Sequence, residues 1–287
     1  MSNDDPIKRA TTAVELVSQV VKAAGDDPQV KLAAHELGKT AVTLTKAINV
    51  FLIPLALMNY AVEKARKYFE GQQFRDDLAE VAGKIPEEEI VEPKAAVAGP
   101  LLQALAFSLD EPPLKEMYLH LLASAMDRRA ADVAHPAFVE IIKQMNSEEA
   151  RLLRSILQSG ESLPIVEIRK RASWWRRISS FKTTYWVLAT HVQSIVRKNN
   201  RTNKSEPSEI PELPAMVDNW VRLGLVQVTY GLFKGGDAYD WVDSRPEIIR
   251  AREEHGSTSV WVKRGMIQPT SFGKMFATAV GLAVQIK

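Results

Sequence analysis

The sequence predicts a mainly α fold: a helical N-terminal domain, 1–146, joined to a winged-helix-like α+β domain, 147–287, with a small β-hairpin. Three observations predict it. Apolar residues recur at three- and four-residue spacing until Gly160. Short β-branched runs appear only after that glycine. The order over 147–287 is helix, short strand, helix, helix, strand, insertion, strand, helix, which is a winged-helix arrangement.

The elements follow in chain order. Ile7, Ala10, Val14, Val17 and Val21 fall on one helical stripe, and Gly25-Asp26-Asp27-Pro28 stops it and caps the next helix. That second stretch runs from about residue 29, kinks at Pro54 and continues through the charged turns 63–71, with a short amphipathic piece at 73–83. Pro86 and Pro93 bracket Glu87, Glu88 and Glu89, which predicts an extended connector because each proline disfavours α conformation in the residue before it. Helices are expected at 95–109, at 114–126 after Pro112-Pro113 in a first turn, and at 137–145 after His135-Pro136. Asn146 and Glu149 have capping-box spacing for the next helix.

Beyond Gly160, residues 163–168 read as a strand, 183–197 as a helix carrying Tyr185 and Trp186, and 198–211 as an exposed loop. The helix 214–223, stopped by Gly224, takes the recognition position. Strands 225–230 and 260–267 form the wing, with a long insertion, 233–256, that holds its own helical piece at 246–254. Thr270-Ser271 caps a final helix, 272–281.

The 287 residues contain no Cys, which excludes a disulfide scaffold, Cys-ligated zinc, iron–sulfur clusters and thiol catalysis, and fits a reducing cytoplasm. The net charge of +2 hides a partition. Residues 1–165 carry 18 basic and 24 acidic side chains, whereas 166–204 carry ten basic side chains and only Glu167. Such a block suits phosphate backbones or anionic lipid. Residues 1–24 include Asp4, Asp5 and Glu15 and no continuous apolar run, so no secretory leader is expected. The most apolar run, 47–62, is interrupted by Asn49, Pro54 and Asn59 and falls short of the roughly 20 residues of a membrane span. A cytoplasmic protein is the expectation.

Within the basic block, Arg169, Lys170, Arg171, Arg176, Arg177 and Lys182 alternate with Trp174, Trp175 and Phe181. Cations neutralise phosphates, while flat rings stack on bases or anchor at a lipid interface. A purely structural reading stays open, with the tryptophans closing a small core and the arginines paired to acidic side chains. On the recognition helix only Asn219 and Arg222 suit bidentate contact with bases. Phe51, Leu52, Ile53, Leu55 and Leu57 are membrane candidates if the apolar run is exposed, although burial in a core suits them as well. His120 with Glu116 and His135 with Glu140 fall short of the three or four convergent ligands that zinc needs, so no metal or cofactor is expected. His135 is more simply a helix-start residue. Nucleophile elbows, phosphate-binding loops and dinucleotide fingerprints are all missing, which leaves no argument for an enzyme.

Two blocks carry a family resemblance. Ile85-Pro86-Glu87-Glu88-Glu89-Ile90-Val91-Glu92-Pro93 with Ala98-Gly99-Pro100-Leu101-Leu102-Gln103-Ala104-Leu105 is the first. The second joins Leu121-Leu122-Ala123-Ser124-Ala125-Met126-Asp127 to the His135-Pro136-Ala137-Phe138-Val139-Glu140 helix and Ser147-Glu148-Glu149-Ala150. Together they resemble the bacterial Abi-alpha (abortive infection alpha) family. The resemblance marks His135, Pro136, Phe138 and Glu140 as structural signature residues and supplies no catalytic ones. It implies phage resistance in which an infected cell stops growing or dies before phage release. The expected function is therefore non-enzymatic antiphage defence, with the basic region binding DNA, RNA or another anionic partner. The rival expectations are a membrane-perturbing effector using 47–62 and a prophage-type transcription regulator. A phage component and a second copy of the chain are further expected partners.

Overall fold

The computed structural model describes residues 59–171, 185–198, 203–232 and 234–282. The helices expected before residue 59, the membrane candidates among them, and Trp174, Trp175, Arg176, Arg177 and Lys182 lie outside the described residues. The chain divides into two compact units, one running to Arg151 and taking in Thr278–Leu282, the other running from Leu152 to Ala277.

The first unit is helical. Its described helices are α1 (Asn59–Glu70), α2 (Gln72–Ala82), α3 (Ala95–Phe107), α4 (Pro112–Met126) and α5 (Ala137–Lys143). Leu101, Leu105, Met117, Leu121, Leu122 and Phe138 are fully buried. Tyr68, Phe69 and Phe74 meet edge to face at 5.1–5.6 Å, closing the α1–α2 corner. The proline-bracketed connector holds a single 3-10 turn, Glu87–Glu89, and is pinned by Val91 N–H to Met126 O at 2.8 Å and Arg128 N–H to Glu89 O at 2.8 Å.

Helix α6 (Ser147–Ser159) begins as its sequence spacing predicts. Asn146 Oδ1 accepts the N–H groups of Glu148 and Glu149 at 2.9 Å each, and Glu149 Oε2 accepts Asn146 N–H at 2.9 Å. The reciprocal bonds satisfy donors that a helix start leaves orphaned.

The second unit is built on a four-stranded antiparallel sheet in the order β2-β1-β6-β5. Its strands are β1 (Leu163–Arg171), β2 (Tyr185–Gln193), β5 (Val226–Tyr230) and β6 (Val260–Pro269). A two-stranded ribbon of β3 (Val196–Lys198) and β4 (Ser205–Pro207) follows β2. Val166 and Ile168 of β1, Val192 of β2 and Val260 of β6 pack with Val242, Ile248 and Ala251, so one sheet face is covered by the 3-10 turn Asp240–Ser244 and helix α8 (Pro246–His255). Helix α7 (Leu213–Arg222) buries Met216, Val217 and Trp220 and packs on β2 and β5. It ends where Gly224 takes φ +74°, a conformation open to glycine. The last helix, α9 (Ser271–Ala279), opens with Thr270 Oγ1 accepting Gly273 N–H at 2.8 Å.

The sheet overturns the mainly α expectation. The described residues are 51% helix and 20% strand, an α+β composition. β5 and β6 pair as the expected hairpin does, but β6 is also paired with β1, and β1 carries β2 where a helix was expected, so a four-stranded sheet forms. Where a helix was expected at 183–197, residues Tyr185–Gln193 form the strand β2. Tyr185, Trp186 and Val187 favour a pleated surface. The alternation that marks a strand is broken because β2 gains a residue on β1 between Val166 and Ile168 and another between Ile168 and Arg169. The expected loop at 198–211 likewise contains β4.

Candidate functional site

Directly paired residues of an antiparallel sheet share a face, so register alone assembles the site. On the face opposite α8, Arg171 pairs with Tyr185, Arg169 with both Val187 and Trp261, and Glu167 with Lys263. Arg169 and Glu167 are buried, at 7% and 8% exposure, and form an ion pair through Nε and Oε1. Two charges taken out of water are tolerable only when each has the other. Above this floor Tyr185 and Trp261 are 42% and 38% exposed, large values for aromatic rings.

The guanidinium fixes the rings. Its central carbon lies 3.9 Å from the Tyr185 ring centroid and 5.2 Å from that of Trp261, and the rings meet each other edge to face at 6.2 Å. A cation held against an aromatic face is attracted to the π-cloud, more strongly when desolvated. Arg171 is exposed at the rim, and Trp186, 53% exposed, lies on the reverse face opposite Lys170. Lys170 Nζ is 3.3 Å from His255 Nδ1. This end of the sheet therefore combines exposed rings with cations, one of them buried and ion-paired.

The same face ends in a second polar cluster. His191, in the irregular part of β2, takes φ +56°, a left-handed conformation uncommon for any residue but glycine. Its backbone N–H donates to the Tyr230 hydroxyl at 3.0 Å, and that hydroxyl is also 3.0 Å from Nδ1. With Nδ1 accepting, Nε2 carries the proton and donates to Asp218 Oδ1 at 3.1 Å. Burial pushes the Tyr230 hydroxyl up to about 12. Both imidazole nitrogens are thus engaged, and the cluster holds backbone shape. Gly265 makes room for it, since a Cβ there would stand 2.6 Å from Tyr230 Cδ1.

The sequence candidates divide by place. Arg169, Lys170 and Arg171 all lie on β1, with Arg169 turned inward to Glu167. Asn219 and Arg222 are on α7 and bond each other, Arg222 Nη2 donating to Asn219 Oδ1 at 2.6 Å. His135 Nδ1 accepts Ala137 N–H at 3.1 Å, the helix-start role, while Phe138 is buried and Glu140 is paired with Lys143. Among the described residues no group of three or more His, Asp or Glu is placed to hold a metal ion, and no helix is long and apolar enough to cross a membrane.

Trp261 and Lys263 escaped the sequence reading. Their period-2 spacing puts them on one face of β6, but only the sheet order brings that face to Arg169, 92 residues earlier in the chain.

No curated protein and no solved structure matches the chain. A family model described as Abortive infection alpha matches residues 66–280, which takes in α2 to α9 and every described strand. With most of its length matched, the chain belongs to the abortive infection alpha family.

Proposed function

We propose that the chain serves abortive-infection defence by binding single-stranded nucleic acid across the aromatic and basic end of the sheet, without catalysing a reaction. Family membership supports the defence reading. One observation carries the nucleic-acid reading: Tyr185 and Trp261 stand exposed above a buried guanidinium, with Arg171 at the rim of the same face. Every base has a flat face, so ring stacking binds strands of any sequence, at about 1–3 kcal/mol per base. Cations add a phosphate contact that weakens with salt. The Glu167–Arg169 pair acts as a positioning element under the rings, leaving phosphate contact to Arg171 at the rim of the same face.

Fluorescence anisotropy with a labelled single-stranded oligonucleotide tests this. The Tyr185→Ala/Trp261→Ala variant is expected to bind at least about tenfold more weakly, from the loss of one or two stacked bases. Unchanged affinity in that variant rejects the proposal.

A further inference from the structure

The ribbon of β3 and β4 pairs Val196 with Pro207, Arg197 with Glu206 and Lys198 with Ser205. All six residues are exposed, so the ribbon adds nothing to a core. Two strands of three residues are too short to be stable alone. Their root is held from below instead.

Arg245, 1% exposed, donates through Nη1 to Ile195 O at 2.7 Å and through Nη2 to Ser208 O at 3.0 Å, the residues on either side of the ribbon. Ser208 N–H closes the root by donating to Ile195 O at 3.0 Å. The Arg245 charge is balanced by Glu247, whose two oxygens accept Nε at 3.1 Å and Nη2 at 2.6 Å. One turn further along α8, Arg250 grips both oxygens of Glu209 at 2.8 and 2.7 Å. That grip holds the Glu209 carboxyl below its ordinary range. Burying an ion pair costs free energy in lost hydration. Here the cost is met at the root of an element that buries no side chain of its own.

The anchored ribbon presents Arg197, Lys198 and Lys204 against a single acidic residue, Glu206, all four exposed. We propose that it is a second nucleic-acid contact, with these three cations against the phosphodiester backbone. The proposal extends the nucleic-acid reading above and rests on it for the nature of the ligand. A two-stranded ribbon can enter a duplex groove or track a single strand. Phosphate is the chemistry that both share. The ends of β2, Tyr185 and Gln193, pair with Arg171 and Ile165, so six residue steps of β1, roughly 20 Å, separate the ring end from the root end, and the two contacts are distinct sites on one long ligand.

The test is binding of the full chain to single-stranded and duplex oligonucleotides, each longer than β2, across a salt series. The Arg197→Ser/Lys198→Ser/Lys204→Ser variant is expected to bind about tenfold or more weakly at low salt. Its slope of log affinity against log salt should fall by about 2, at roughly 0.7 per lost phosphate on a single strand. Which oligonucleotide suffers more tells strand from groove, and a loss on either supports the ribbon. Unchanged affinity and slope overturn it. If Tyr185→Ala/Trp261→Ala weakens binding while the ribbon variant does not, the sheet reading stands alone. If only the ribbon variant weakens binding, the sheet reading falls and the ribbon stays. No oligonucleotide bound at low salt removes both. Binding of wild type to vesicles of anionic phospholipid, lost in the ribbon variant with oligonucleotide binding intact, assigns the ribbon to lipid and overturns the proposal.

Discussion

At the scale of single residues, the site depends on two buried polar arrangements that answer differently to substitution. Arg169→Met strands the Glu167 carboxylate in the sheet and is expected to cost about 3–5 kcal/mol in urea unfolding. Glu167→Leu/Arg169→Met removes both charges and should recover most of that loss while releasing Tyr185 and Trp261. A double variant no more stable than Arg169→Met contradicts the pairing. The Tyr230 hydroxyl gives a pH signature. Its ordinary value is 10.0 and burial lifts it to about 12, so the neutral phenol is favoured in the folded state. That contribution is complete below pH 10 and is lost as pH climbs to about 12, because the unfolded chain releases the proton first. Tyr230→Phe should therefore unfold less steeply across that window in alkaline titrations. It should be less stable at neutral pH by about 1–3 kcal/mol, having left the His191 N–H without its acceptor.

At the scale of elements, what could be read from sequence was what is local. The Asn146–Glu149 cap needs only a three-residue spacing, and its reciprocal bonds form as that spacing predicts. Asn146→Ala is expected to cost about 1 kcal/mol, measured as a lowered midpoint of thermal unfolding; a shift indistinguishable from zero would show that the cap contributes nothing. Helices α3 to α5 followed from apolar periodicity and proline placement, within two residues at most of the observed ends. Strand β2 did not, because its irregular register with β1 erases the alternation that distinguishes a strand from a helix. Only the β-favouring side chains of Tyr185, Trp186 and Val187 remained as a signal. The β3–β4 ribbon was hidden for another reason. It is exposed on both faces and has no apolar pattern to read, and its anchor, Arg245, comes 38 residues after β4.

At the scale of the whole molecule, the near-neutral net charge of +2 conceals a basic block whose described parts occupy two places in one unit. Lys170 and Arg171 close the exposed end of the sheet, and Arg197, Lys198 and Lys204 ride on the ribbon. Charge counting found the block, and the motif blocks around Pro86 and His135 found the family. Neither could locate the site, because Arg169 meets Tyr185 and Trp261 only through the order of strands in the sheet. We propose that defence acts through that sheet end. Survival of infected cultures, compared at low and high phage dose, tests it most directly. Cells carrying the wild-type chain should survive at low dose and collapse early at high dose, whereas cells carrying Tyr185→Ala/Trp261→Ala at equal protein level should be lysed at both. Protection by that variant equal to wild type would contradict the claim.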